Sequence, residues 1–195
     1  MEKVRRGFKT WCENAARDYR QELRLDAVDP IDPRVLAKHL NILVWTPSDI
    51  PNLDSHHVHR LTVTERDAWS AVTLREGKRS LIIVNSGHPF SRQNNSLAHE
   101  ISHVELGHKP AKMLTAFDGS MLMTDYDPVH EAEANLLAGA ILLPREALLQ
   151  KFQQGIATAD IATHFGVSTE LVIMRRNTTG IGKQMANRQR GTWVP

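Results

Sequence analysis

Apolar positions along the chain repeat with two periods, and the switches between them outline its elements. Between residues 7 and 24, Phe8, Trp11, Ala15 and Tyr19 recur at helical spacing with Arg and Glu between them, which predicts an amphipathic helix. Asp29-Pro30-Ile31-Asp32-Pro33 is a turn, and its last two residues suit the N-cap and first position of a second helix reaching Leu40. Residues 42–45 form a short β-like run that Pro47 stops. Residues 48–59, rich in aspartate and histidine, read as a loop. Strand signals follow at residues 60–64, 69–74 and 80–85, with a hairpin connection at 75–78 and Leu81-Ile82-Ile83-Val84 apolar enough for a central strand.

The second half is mostly of helical period. Leu97, Ile101 and Val104 fall within about 60° of one another on a helical wheel. Asn94, Asn95 and Ser96 can cap the start of that helix and Gly107 its end. Residues 108–127 contain Pro110, Gly119 and scattered methionines and read as irregular, with one short helix at most. Asp127-Pro128 then opens a helix over 129–143 that Pro144 terminates. Its Ala132, Ala134, Ala138, Gly139 and Ala140, set among leucines, make it apolar on nearly every side and hence buried. Another helix is predicted over 145–154. Residues 159–169 then have helix-turn-helix character, with small Ala162, turn Gly166 and Ser168 as N-cap of a second helix. The elements predict an α+β chain in which a small mixed or antiparallel sheet flanks the residue-97 helix. Residues 1–145, N-terminal helices included, are expected as the main domain, 146–182 as a helix-turn-helix-like helical subdomain and 183–195 as a basic tail.

Composition narrows the classes. The chain has 195 residues, 41% hydrophobic and 24% charged, ordinary values for a soluble globular protein. No apolar run approaches a membrane span, and Met1-Glu2-Lys3-Val4-Arg5-Arg6 leads into polar sequence rather than a secretory h-region, so the cytoplasm is the expected compartment. Cys12 is the only cysteine, which excludes an intramolecular disulfide and a Cys-based zinc site. A net charge of +2 does not call for a polyanionic partner. Its distribution is uneven, however. Residues 171–195 carry Arg175, Arg176, Lys183, Arg188 and Arg190 and no acidic residue, so a DNA contact through 159–190 is a minor expectation.

The chemistry lies in His99-Glu100-Ile101-Ser102-His103, an H-E-x-x-H pattern that sets two imidazoles one helical turn apart with a carboxylate beside them. The histidines lie near about 200° and 240° from Leu97, opposite the apolar stripe, so the helix can rest on a core and show its imidazoles to a cleft. In one zinc-peptidase class the third ligand is a histidine in H-E-x-x-H-x-x-G-x-x-H, but here Leu106 and Lys109 occupy the glycine and histidine positions and His108 is one residue off register. Another class takes a glutamate from a later helix. Glu131 and Glu133 both qualify, yet they sit about 200° apart, so only one can face His99 and His103. Glu131 is favoured, because Asn135 at i+4 shares its face and can steady a ligand. Glu133 should then point away, to solvent or a basic partner. His56, His57 and His59 are a poorer metal cluster, since no regular element fixes them.

Leu97-Ala98-His99-Glu100-Ile101-Ser102-His103, together with Glu131-Ala132-Glu133-Ala134-Asn135 running to Leu142-Leu143-Pro144, resembles the ImmA/IrrE family of regulatory zinc metallopeptidases over roughly residues 30–180. The resemblance implies a zincin-like, gluzincin-type fold for the main domain. It also implies zinc on His99, His103 and Glu131, with Glu100 as the base that takes a proton from water and passes it to the leaving amine. The activity implied is an intracellular endopeptidase that cleaves or inactivates a partner regulatory protein, a helix-turn-helix repressor, in phages, mobile elements or stress responses. After Gly182 only a short basic stretch follows, so no sensor domain is expected. His130 and Tyr126 lie near the motif in sequence, but neither is assigned as a second oxyanion donor. The competing expectation is a DNA- or protein-binding regulator, or a toxin–antitoxin component, in which zinc is structural or vestigial.

Overall fold

The computed structural model describes residues 4–109, 112–115, 121–124 and 127–191. The first helix, α1 (Phe8–Glu22), buries Phe8, Cys12, Ala16 and Arg20 at i, i+4 spacing, while Trp11 stays 42% exposed. The buried stripe is therefore rotated from the one that the aromatic residues suggest. Helix α2 (Pro33–His39) starts as expected, with the Asp32 carboxylate accepting from the Arg34 amide at 2.8 Å. Strand β1 (Ile42–Trp45) follows.

Residues 48–64 differ from expectation. Pro47–Asp49 is a 3-10 turn, and α3 (Ser55–His59), capped by Asp54, continues into a π turn over Arg60–Thr64 where a strand was expected. Once Asp54 has nucleated the helix, the Thr62 hydroxyl donates to the Val58 carbonyl and the Glu65 amide to that of Arg60, so backbone groups are satisfied locally. Strands β2 (Ala71–Glu76) and β3 (Arg79–Val84) then complete a three-stranded sheet of order β1-β3-β2. It is mixed, with β1 parallel and β2 antiparallel to β3.

Strand alternation decides what the sheet offers the rest of the molecule. The pairings Val44 with Ile82 and Thr73 with Ile82 put Ile42, Val44, Ile82, Val84, Thr73 and Arg75 on one face. That face rests on α4 (Phe90–Glu105), whose Leu97 and Ile101 are fully buried and each contribute about 1.5–3 kcal/mol. Helix α4 starts after Pro89, more than a turn before the caps expected at Asn94 to Ser96. Asn94 is buried instead: its amide donates to the Gly166 carbonyl at 3.0 Å, and its oxygen accepts from Arg34 at 3.1 Å.

The stretch expected to be irregular contains two strands, β4 (Lys112–Thr115) and β5 (Met121–Thr124), paired antiparallel from Lys112–Thr124 to Thr115–Met121. The helix that follows, α5 (Pro128–Leu142), is capped by Asp127, whose carboxylate accepts from the Val129 and His130 amides. It lies between α1 and α4, and Ala134, Leu137, Ala138, Ala140 and Ile141 are buried.

Helices α6 (Arg145–Gln153), α7 (Thr158–Phe165), α8 (Thr169–Thr178) and α9 (Ile181–Gly191) gather round a second apolar cluster that shares Ala98, Ala138 and Leu142 with α4 and α5. Gly166 turns α7 into α8, and the Ser168 hydroxyl caps α8 by accepting from the Leu171 amide, as predicted. The segment expected as a tail from 183 is helical to Gly191. Ile181 and Met185 recur at i, i+4 and pack on the second cluster, which gives that helix a reason to form. Residues 192–195 of the expected tail lie outside the described residues.

Two buried guanidinium groups close the carbonyl end of α5. Arg20, with no exposed surface, donates to the carbonyls of Ile141 (2.7 Å), Asp29 (2.9 Å) and Ala16 (3.0 Å). Arg175 donates to the Leu143 carbonyl at 2.9 Å and to the Glu13 carboxylate, whose other oxygen accepts from the Arg145 amide. Arg175 is 3% exposed, so it does not belong to the basic surface that the C-terminal charge run suggests. It reaches Leu143 by crossing Gly139, where a Cβ would stand 2.9 Å from the arginine's Cδ. No helix among the described residues is long and apolar enough to cross a membrane.

Arg20→Met would leave the Asp29 and Ile141 carbonyls without their donor. It should lower unfolding free energy by about 3 kcal/mol in urea titration. An unchanged midpoint would mean that those bonds contribute nothing net.

Candidate metal centre

Helix α4 brings His99 and His103 together because four residues make about one turn. Their Nε2 atoms are 3.0 Å apart. Across the α4–α5 contact, where small residues allow the helices to approach, the Glu131 carboxylate places one oxygen 3.3 Å from His99 Nε2 and the other 3.3 Å from His103 Nε2. Among the described residues this is the one His/Cys/Asp/Glu trio whose ligand atoms all lie within 4.8 Å of one another. All three side chains are partly exposed, at 21%, 18% and 34%, so the cluster opens on solvent.

Each group is held from behind. The His99 Nδ1 lies 3.2 Å from Asn135 Oδ1, the partner expected one turn along α5 from Glu131. The His103 Nδ1 lies 3.0 Å from Nδ1 of His108, whose own Nε2 is 3.4 Å from Glu133 Oε2. Gly107, at φ 67°, closes α4 with the Gly107 amide donating to Val104 and the His108 amide to His103. That pairing is a Schellman turn, which folds the residue after the glycine back over the last helical turn. His108 therefore stacks beside His103, and the His130 ring lies parallel to it at 4.1 Å. Arg75 donates to the carbonyls of both His103 (3.1 Å) and His108 (3.0 Å).

Glu100, about 100° round the helix from His99, faces β2 rather than α5. The Thr73 hydroxyl donates a short hydrogen bond to its carboxylate, an orientation that follows from the alternation placing Thr73 on the α4 side of the sheet. Burial, together with the neighbouring His99 and His108 rings, pushes the His103 pKa down to about 3, so its imidazole is neutral and keeps a lone pair. Burial likewise lowers that of His108.

Two neutral-capable imidazole nitrogens and a carboxylate converging on one point, with no cation among them, form a donor set that fits a divalent metal. Glu133 points away from the cluster, 13% exposed, to meet His108 and, at 3.9 Å, Arg5. His56, His57 and His59 lie on exposed α3, where His57 pairs with its own cap Asp54, and they take no part. His130 stacks on His108, and Tyr126 lies outside the described residues. Sequence reasoning misses His108, Thr73 and Arg75. The signal for His108 was the C-capping glycine before it, which predicts contact with the residue five back.

The profile of the IrrE N-terminal-like domain, the M78 peptidases, matches residues 37–177. The chain belongs to this family. The M78 match covers well over half of the chain and contains the whole cluster. No curated protein matches the sequence significantly. Among solved structures, a Mycobacterium tuberculosis transcriptional regulator is similar at 14% identity and a TM-score of 0.47, over 87% of this chain and 46% of that one. The chain thus spans about half the length of that regulator.

Glu131→Gln should lower metal affinity at least tenfold in competitive chelator titration, whereas Glu133→Gln should not. The reverse pattern would move the ligand to Glu133. A pH effect follows from His103. Unfolded, it takes a proton near 6.5, but folded only near 3, so between those values the unfolded state binds more protons. The contribution of His103 to the stability of the metal-free protein is therefore level above 6.5 and falls as pH drops from there toward 3. Urea midpoints at about pH 8 and about pH 5 should differ less in His103→Leu than in the wild type; equal differences would contradict the assignment.

Proposed function

We propose that the chain is a zinc-dependent endopeptidase that cleaves or inactivates a partner regulatory protein, a helix-turn-helix repressor, and so relieves repression. The observation that carries this is the convergence of His99, His103 and Glu131 beside a separately held carboxylate, Glu100. Zinc suits the two-histidine, one-carboxylate set, and when bound it supplies Lewis acidity toward a carbonyl and lowers the pKa of water.

The rest is the work of the chain's own residues. Glu100 takes a proton from water and passes it to the leaving amine. Thr73 holds one oxygen of that carboxylate by donating to it, which fixes the side chain and leaves its other oxygen to act on water. Asn135 holds His99, and Arg75 fixes the carbonyl end of α4 on which His103 sits. β2, which carries Thr73, is an edge strand among the described residues. An extended substrate segment can add to its free side by main-chain hydrogen bonds, which would lay a scissile bond across the cluster.

A second function has one observation in its favour: α7 and α8 are short helices joined by a tight turn at Gly166, with Ser168 capping the second, as the helix-turn-helix expectation requires. In that case the protein is a DNA- or protein-binding regulator, or a toxin–antitoxin component, and its metal is structural. One experiment separates the two. The zinc-loaded protein is incubated with candidate helix-turn-helix repressors, with and without chelator, alongside Glu100→Ala. Cleavage should require metal and vanish in Glu100→Ala, which should retain its zinc by metal analysis. Cleavage that persists in Glu100→Ala, or a variant that has lost its zinc, would overturn the role given to Glu100.

A further inference from the structure

We propose that His108 and Glu133 are positioning residues that set the tautomer of His103 from outside the ligand cluster, through a directed chain of hydrogen bonds. The proposal rests on the metal-binding role given above to His99, His103 and Glu131.

The geometry leaves two proton arrangements. His103 turns Nε2 toward His99 and Glu131 and Nδ1 toward His108. Two ring nitrogens 3.0 Å apart share one proton, so one of the two Nδ1 atoms donates and the other accepts. In the first arrangement His103 carries its proton on Nδ1, donates to His108 and leaves Nε2 bare for a metal. His108 then carries its own proton on Nε2 and donates it to Glu133 Oε2, 3.4 Å away. In the second arrangement the bond between the two imidazoles reverses and the one to Glu133 is lost. His108 donates from Nδ1, His103 keeps its proton on Nε2 where it blocks coordination, and the bare Nε2 of His108 faces a carboxylate.

Glu133 decides between them. A carboxylate accepts hydrogen bonds and cannot donate one, so it stabilises the first arrangement and opposes the second. His108 is 6% exposed and the Glu133 side chain 13%, so water competes little for either group. The plane of the His108 ring is fixed by stacking on His130, and its backbone by Arg75. His99 is served by Asn135 of α5 in one step, whereas the Nδ1 of His103 meets His108, so Glu133 of α5 is reached through a second imidazole. Of the two glutamates on one helix, Glu131 thus faces the metal position and Glu133 acts on it from two hydrogen bonds away.

The test is cobalt(II) and zinc titration against a competing chelator, with the visible spectrum of the cobalt form as a second readout. Glu133→Leu removes the acceptor, whereas Glu133→Gln retains a carbonyl oxygen that can accept from His108. Glu133→Leu and His108→Leu should weaken binding by about tenfold or more and alter the cobalt absorption, while Glu133→Gln stays within about twofold of wild type. Circular dichroism checks folding, and if His108→Leu does not fold the Glu133 pair decides. Wild-type affinity in Glu133→Leu overturns the chain. So does an equal loss in Glu133→Gln, which would make charge rather than an acceptor the operative property. A wild-type protein that binds neither metal overturns the metal centre itself and the chain with it, an outcome distinct from both.

Discussion

Two guanidinium groups taken out of water hold the carbonyl end of α5, and the position of Glu131 depends on them. Burying a cation is costly unless its donors are matched. Arg20 is matched by three carbonyls and Arg175 by a carbonyl and the Glu13 carboxylate. Both sit at the negative end of the helix dipole, which adds to their stabilisation. Asp127 caps the opposite end, so α5 is fixed at both termini while its middle, made of alanines and Gly139, lies close to its neighbours. Glu131 lies about 15 Å along the axis from Ile141, and a rigid helix carries the constraint over that distance.

On the α4 side, each supporting contact follows from an ordinary periodicity. Four residues along a helix unite His99 with His103, and the same spacing on α5 puts Asn135 beside Glu131, within reach of His99. Two residues along a strand put Thr73 and Arg75 on the same face of β2, so one reaches Glu100 and the other the carbonyls at the end of α4. The left-handed turn at Gly107 returns His108 onto His103. Glu100 and the cluster of His99, His103 and Glu131 are directed apart because adjacent helical residues point about 100° apart.

Much of this was legible before any coordinates because it depends on local period. His99, His103, Glu131 and Asn135 are related by i, i+4 steps within two helices, and only the meeting of those helices had to be supplied. The Asp32-Pro33 and Asp127-Pro128 starts and the Gly166–Ser168 turn are likewise local chemistry. What could not be read depended on partners distant in sequence. Residues 60–64 alternate like a strand, but no sheet edge receives them, and Asp54 had already begun a helix. Asn94 looks like a cap and is instead a buried bridge to Gly166, 72 residues away. His108 misses the spacing of a ligand, and its contact with His103 depends on the turn at Gly107 rather than on helical period.

The C-terminal helices show how charge in sequence and charge in space part company. Counted along the chain, residues 171–195 form a cationic run of the kind that binds a polyanion. In the structure Arg175 points inward to α1 and the end of α5, and Arg176 lies over the Phe152 ring at 5.4 Å. The outward surface of α8 is mixed, with exposed Ile173 and Arg176 and, at its start, exposed Glu170, so it carries one charge of each sign rather than a cationic face. Ile161, Ala162, Phe165, Val167, Leu171 and Val172, the apolar residues of α7, α8 and the turn between them, are all in the second core. The physical work visible in this segment is therefore to deliver Arg175 across Gly139 to the Leu143 carbonyl. Two short helices joined by a tight turn suit that task, because they position one long side chain rigidly against a neighbouring helix end.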